Sequence, residues 1–261
     1  MSTLSPGPMF TAGTFVPTPR RNTASAMIAA LTRLEATLLL RNGEQQLLTM
    51  MLPVTFLIGL TVLPIGTMPA PRIDTVFPVV LTVAIMSTGF TGQAIAIGFD
   101  RRYGALKRLG ANAIPTWAMI TGKSAAVVIV VGLQTLLLGT IAAVLGWRPN
   151  PLELLLIAAV IIVGTAAFAA LGLLLGGSLR AEIVLALANI LWFVQLGVCS
   201  MSMLPGTSST VQNLVELTPA GALTDALHQA NTGSLAPSSL IVLMVWASAA
   251  TALARRTFSF S

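Results

Sequence analysis

Side chains that carry chemistry are few in this chain, and their spacing argues against most of it. There is one histidine (His228), one cysteine (Cys199) and eight carboxylates spread over 261 residues. No HExxH, CxxC or GxSxG pattern gathers a metal set, a redox pair or a nucleophile elbow. Thr121-Gly-Lys-Ser124 has the end of a phosphate-binding loop, but Trp117 stands where that loop needs glycine to wrap its backbone around phosphates. The sequence therefore predicts no catalytic residue, no metal site and no nucleotide site. Lys123 reads as an anchor whose stem lies along apolar surface while the ammonium reaches water.

What charge there is gathers in one stretch, Phe99-Asp-Arg-Arg-Tyr-Gly-Ala-Leu-Lys-Arg-Leu-Gly110. It holds Asp100, Arg101, Arg102, Lys107 and Arg108 in a chain with only 8% charged residues. From Tyr103 and Gly104 onward, Leu106 and Leu109 alternate with the basic pair as in a short helix with one apolar and one basic face. Apolar knobs of that kind fill a groove on a partner protein while basic groups set the orientation. The other reading of the same residues is a basic loop lying on anionic lipid headgroups.

The elements around this elbow are apolar. With 55% hydrophobic residues and a mean hydropathy of +0.88, the chain exceeds the composition of a soluble domain, about 45–50% apolar. Six windows have the roughly 20 apolar residues that a bilayer core requires: Leu47–Ile65, Val76–Gly98, Ser124–Leu145, Leu154–Leu175, Ile183–Met203 and Leu235–Ala254. The expected fold is an all-α membrane protein with six transmembrane helices. Twelve of the fourteen Lys and Arg fall before span 1, between spans 2 and 3, between spans 4 and 5, or after span 6; Arg72 and Arg148 alone fall in the alternate segments. The positive-inside bias places both termini in the cytoplasm. The net charge of +6 is thus a topology signal, and it argues against nucleic acid as a partner.

Residues 1–22, rich in Pro, Thr and Ser, read as a flexible tail and lack the apolar core of a secretory signal. Residues 23–261 form one transmembrane domain. Within it, 23–41 has Met27, Ile28, Leu31, Leu34 and Leu38 at helical spacing, with Arg33 and Arg41 on another face, as in an amphipathic helix lying in the membrane interface. Span 4 has Gly172 and Gly176 in a small-xxx-small pattern, which is weak evidence for a particular contact. In span 5, Asn189, Trp192, Gln195 and Cys199 are spaced by three, three and four, either for hydrogen bonding between helices or for lining a path. Between spans 5 and 6, residues 204–234 read as a broken helical segment interrupted at Pro219, neither half long enough to span. No acid or base lies mid-span, which disfavours ion-coupled transport.

This order of features resembles the membrane subunit of an ABC-2-type exporter, specifically the actinobacterial drug-resistance permeases of the daunorubicin type. The resemblance runs from about Ala24 to Arg256 and rests on Leu40-Arg-Asn-Gly-Glu44, Gly89-Phe-Thr-Gly-Gln93, the elbow and Gly122-Lys123. In that family the elbow reads roughly (E/D)RRxGxLKRL, with Glu commoner at the position of Asp100. The resemblance implies a multi-pass protein of the bacterial plasma membrane. A second permease subunit, identical or related, pairs with it around a central path, and separate ATPase subunits bind ATP and Mg. It implies that Asp100, Arg101, Arg102, Tyr103, Gly104, Leu106, Lys107, Arg108 and Leu109 couple to the ATPase, helped by the interfacial helix. Phe90, Gln93, Asn189, Trp192 and Gln195 would line the path for a small amphipathic or lipid-like substrate, and the 5–6 segment would form an outer gate. No cofactor is expected on this chain itself. Two other functions fit six uncharged spans: a membrane scaffold or assembly subunit and, less well, a secondary transporter.

Overall fold

A computed structural model describes residues 23–63, 71–104, 114–201 and 208–257. Every element among the described residues is helical. Helix α1 is Ala24–Arg41, α2 is Gly43–Val62, α3 is Arg72–Ile85 and α4 is Gln93–Arg102, with a π-helical stretch, Met86–Gly92, joining α3 to α4. Then follow α5 (Thr116–Val144), α6 (Pro151–Ser178), α7 (Ala181–Met201), α8 (Ser209–Glu216), α9 (Pro219–Ala230) and α10 (Pro237–Thr257).

Among the described residues, five helical stretches are long and apolar enough to cross a membrane: Arg72–Arg102, Trp117–Val144, Pro151–Ser178, Ala181–Met201 and Pro237–Arg256. The first of the six windows falls on α2, whose apolar part is the shorter Thr49–Val62. Glu44 and Gln46 make its start polar and Pro53 interrupts it. The tail 1–22 lies outside the described residues.

Local signals explain where the helices begin. Thr23 caps α1 by accepting from the Ala26 amide at 3.3 Å. Asn150 and Glu153 form a reciprocal capping box with Pro151 in the first turn of α6. Thr218 and Pro219 repeat the cap-then-proline arrangement at α9.

The stretch from Arg72 to Arg102 is the axis of the bundle. Every residue from Val76 to Phe90 is buried, as expected of a helix that is apolar all round. Helices α2, α5, α6, α7 and α9 pack against α3, the π-helical stretch or both. Helix α9 is itself mostly buried, and the Thr224 hydroxyl meets that of Thr82 at 3.1 Å. Thr82 is ten residues into the axial helix, about 15 Å along it at 1.5 Å per residue, so the short helix enters the bundle rather than lying over its end. At that same end, Trp147 donates to Asn231 at 2.8 Å and packs on Phe77 with ring centroids 4.3 Å apart.

Candidate functional site at the charged elbow

The elbow begins at the end of α4, and each of its first three charged residues is fixed to a different neighbour. Asp100 accepts from Lys123 of α5 at 2.9 Å, and the same ammonium lies 2.7 Å from Glu35 of α1. Lys123 is 5% exposed. An ammonium tolerates that burial only when paired, and here two carboxylates from two other helices pair it. The snorkelling role expected for Lys123 is therefore wrong: it is a buried tie between α1, α4 and α5.

Arg101 donates to the carbonyls of Gly177 at 2.7 Å and Leu179 at 3.3 Å. These carbonyls at the end of α6 have no partner further along their own helix, and a cation there also suits the helix dipole. Arg102 pairs with Glu182 of α7 at 2.6 Å, but both side chains are more than half exposed, so that pair contributes at most about 1 kcal/mol. Asp100, Arg101 and Arg102 thus act first as anchors of the elbow. Tyr103 stacks loosely on Phe99, centroids 6.0 Å apart, and is exposed. Gly104 turns the chain at φ +70°, the left-handed region that favours glycine. Leu106, Lys107, Arg108 and Leu109 lie outside the described residues.

Helix α1 presents to α5 a narrower face than its apolar periodicity suggests. Leu31 is buried over Gly122, where an added Cβ would stand 2.7 Å from the Leu31 Cβ. Glu35, four residues on, shares that face; Met27 is half-buried. Leu34 and Leu38 are exposed, as are Arg33 and Arg41. Reading the helix as one apolar stripe missed Glu35. The signal was present: it is the one acid of α1, set at i+4 from Leu31 and i−3 from Leu38.

The five residues assigned to a path do not share one surface. Phe90 and Gln93 are buried within the bundle, as is Trp192, whose indole N–H donates to Ser87 at 3.1 Å. Asn189 is exposed and donates to the Leu185 carbonyl one turn back at 2.7 Å. Gln195 is half-buried, its Oε1 without a hydrogen-bond partner. At 100° per residue, positions 189, 192, 195 and 199 spread over about 120° of the helix, wide enough for Asn189 to face out while Trp192 and Cys199 face in. Trp192 therefore follows the reading in which polar groups of span 5 bond between helices.

Around Gln93 the backbone itself departs from α geometry. The π-helical turns at Met86–Gly92 contain two glycines, a serine and two threonines. Thr88 donates to Gln134 at 2.9 Å, while the side-chain amides of Gln93 and Gln134 keep N–H donors with no partner. Wide turns of this type recur where helices bend or bind. Among the described residues no group of three or more His, Cys, Asp or Glu is placed to hold a metal ion.

No family model matches the chain, and no curated protein matches it.

Proposed function

We propose that this chain is the membrane-spanning permease subunit of an ATP-driven exporter. In this reading α2 supplies a sixth span and both termini are cytoplasmic. A second permease subunit and separate ATPase subunits, which hold the ATP and Mg, complete the complex. The exported molecule is amphipathic or lipid-like, moving past surfaces that include Phe90, Gln93 and span 5.

The observation that carries the proposal is the anchoring of the elbow. Lys123, Arg101 and Arg102 tie the end of α4 to α1, α5, α6 and α7. A segment held at its root by four helices transmits a push from outside the membrane to all of them, which a loose basic loop on lipid would not do. The apolar Leu106 and Leu109 are then the groups that meet the ATPase. Leu106→Asp and Leu109→Asp are expected to detach the ATPase or to abolish substrate-stimulated ATP hydrolysis while leaving membrane insertion unchanged. Normal association and normal stimulated turnover in both variants would remove the coupling assignment.

Orientation has its own test. Cysteines replacing Ser208 and Tyr103, both exposed, are expected to differ towards a membrane-impermeant maleimide. Ser208→Cys reacts in intact cells, and Tyr103→Cys reacts only after the membrane is opened. Labelling of Tyr103→Cys in intact cells would reverse the topology.

A further inference from the structure

Helix α10 packs along α6, and α5 flanks the same part of α6, with Ala247, Ser248, Thr251 and Ala252 of α10 turned towards the space between them. The short side chains leave a groove of about 420 Å³ among the three helices, with Ala166 and Ala170 among its floor residues, Ser124 on one wall and Ser248, Thr251 and Arg255 along the other. That volume is in the range of small-molecule sites. Ala166 is exposed, so the floor is accessible from outside the bundle.

What marks this groove is that three open hydroxyls and a guanidinium line it together. Many hydroxyls of the long helices close onto the carbonyl four residues back, as Thr82, Ser87, Thr121, Thr140, Ser178 and Ser200 do, whereas Thr91 and Thr165 are buried without a partner. Among the described residues, the hydroxyls of Ser124, Ser248 and Thr251 make no hydrogen bond, and Arg255 makes no ion pair. The groove is thus graded, from alanine at its floor through open hydroxyls to a guanidinium at its end.

We propose that this groove binds a phospholipid with an anionic headgroup. The phosphate sits on Arg255 and the nearby hydroxyls, and an acyl chain lies over Ala166 and Ala170. Guanidinium pairs well with phosphate, basic pockets between membrane helices are a known means of holding anionic headgroups, and the alanine floor offers the chain an apolar bed. The proposal rests on the membrane-spanning reading above, with the end of α10 at the inner interface.

The test uses the full chain in detergent supplied with equal amounts of phosphatidylglycerol and phosphatidylcholine of the same acyl chains, with retained lipid counted by native mass spectrometry. Wild type is expected to retain phosphatidylglycerol preferentially. Arg255→Gln is expected to reduce that preference roughly fivefold, and Arg256→Gln, on the neighbouring residue that does not line the groove, to leave it unchanged. Ala166→Phe, placing a ring on an exposed floor position, is expected to lower retention of both lipids. Equal losses in Arg255→Gln and Arg256→Gln would reveal diffuse basic attraction and overturn the site. So would a wild type without headgroup preference, unchanged retention in Ala166→Phe, or a dimer that excludes lipid. Detergent defines no leaflet, so this result is independent of the side from which Tyr103→Cys is labelled.

Discussion

Lys123→Met is expected to destabilise the folded chain by about 2–4 kcal/mol and to loosen α1 from the elbow. The ammonium is nearly fully buried between Glu35 and Asp100, at 2.7 and 2.9 Å. Methionine keeps much of the stem but leaves two carboxylates facing each other without a cation. Breaking a fully buried pair this way costs about 3–5 kcal/mol. The figure here is lower because the Asp100 side chain keeps 36% of its exposure and reaches water. Neutralising the carboxylates as well, by adding Glu35→Gln and Asp100→Asn, should restore much of the loss, since a site uncharged at all three positions strands no ion. A denaturation series on Lys123→Met, on Glu35→Gln with Asp100→Asn, and on the triple variant separates the interaction from its parts. If the triple variant is no more stable than Lys123→Met alone, the loss comes from packing of the lysine stem and the ionic tie contributes little.

This tie marks the boundary of what the sequence made legible. Apolar run length announces the long helices, and charge density announces the elbow, because both are local properties. What Lys123 faces is not local: Glu35 lies 88 positions earlier, and nothing near Thr121-Gly-Lys-Ser124 distinguishes a buried ammonium from one reaching for water. Arg101 is similar, visible as a charge but not as a group that closes the end of α6. The division of span 5 was hidden for a different reason. Spacings of three, three and four look like one face, yet they spread over enough of the helix to divide Asn189 from Trp192. The small residues of 86–92 permit close approach, but the widened turns depend on how closely α6 can come, and that is a property of the pair.

That closeness depends on Gly172 and Gly176, and it sets a second large expectation. A Cβ added at Gly172 would stand 2.8 Å from the carbonyl oxygens of both Gly89 and Phe90 and 3.1 Å from the Gln93 Cβ. At Gly176 it would meet the Ala94 carbonyl and come within 2.9 Å of the Ile97 Cβ. The obstacles are largely backbone, which no rotamer change removes, so the helices must separate. Gly172→Ala is therefore expected to destabilise by roughly 1–3 kcal/mol, the usual penalty for overpacking, and Gly176→Ala by at least as much. Working against this, alanine in a helix interior is favoured over glycine by about 1 kcal/mol. Gly132→Ala isolates that opposing effect, because a Cβ there meets nothing within 4 Å, and it should be neutral or slightly stabilising. The sign of the difference between the two substitutions is the decisive reading in a thermal or denaturant series. If Gly172→Ala is stabilised as Gly132→Ala is, α6 does not rest on the carbonyls of the π-helical turns, and their geometry needs another cause. If it is destabilised, separating the helices should also disturb the Trp192–Ser87 hydrogen bond, which a change in tryptophan fluorescence in Gly172→Ala alone would report.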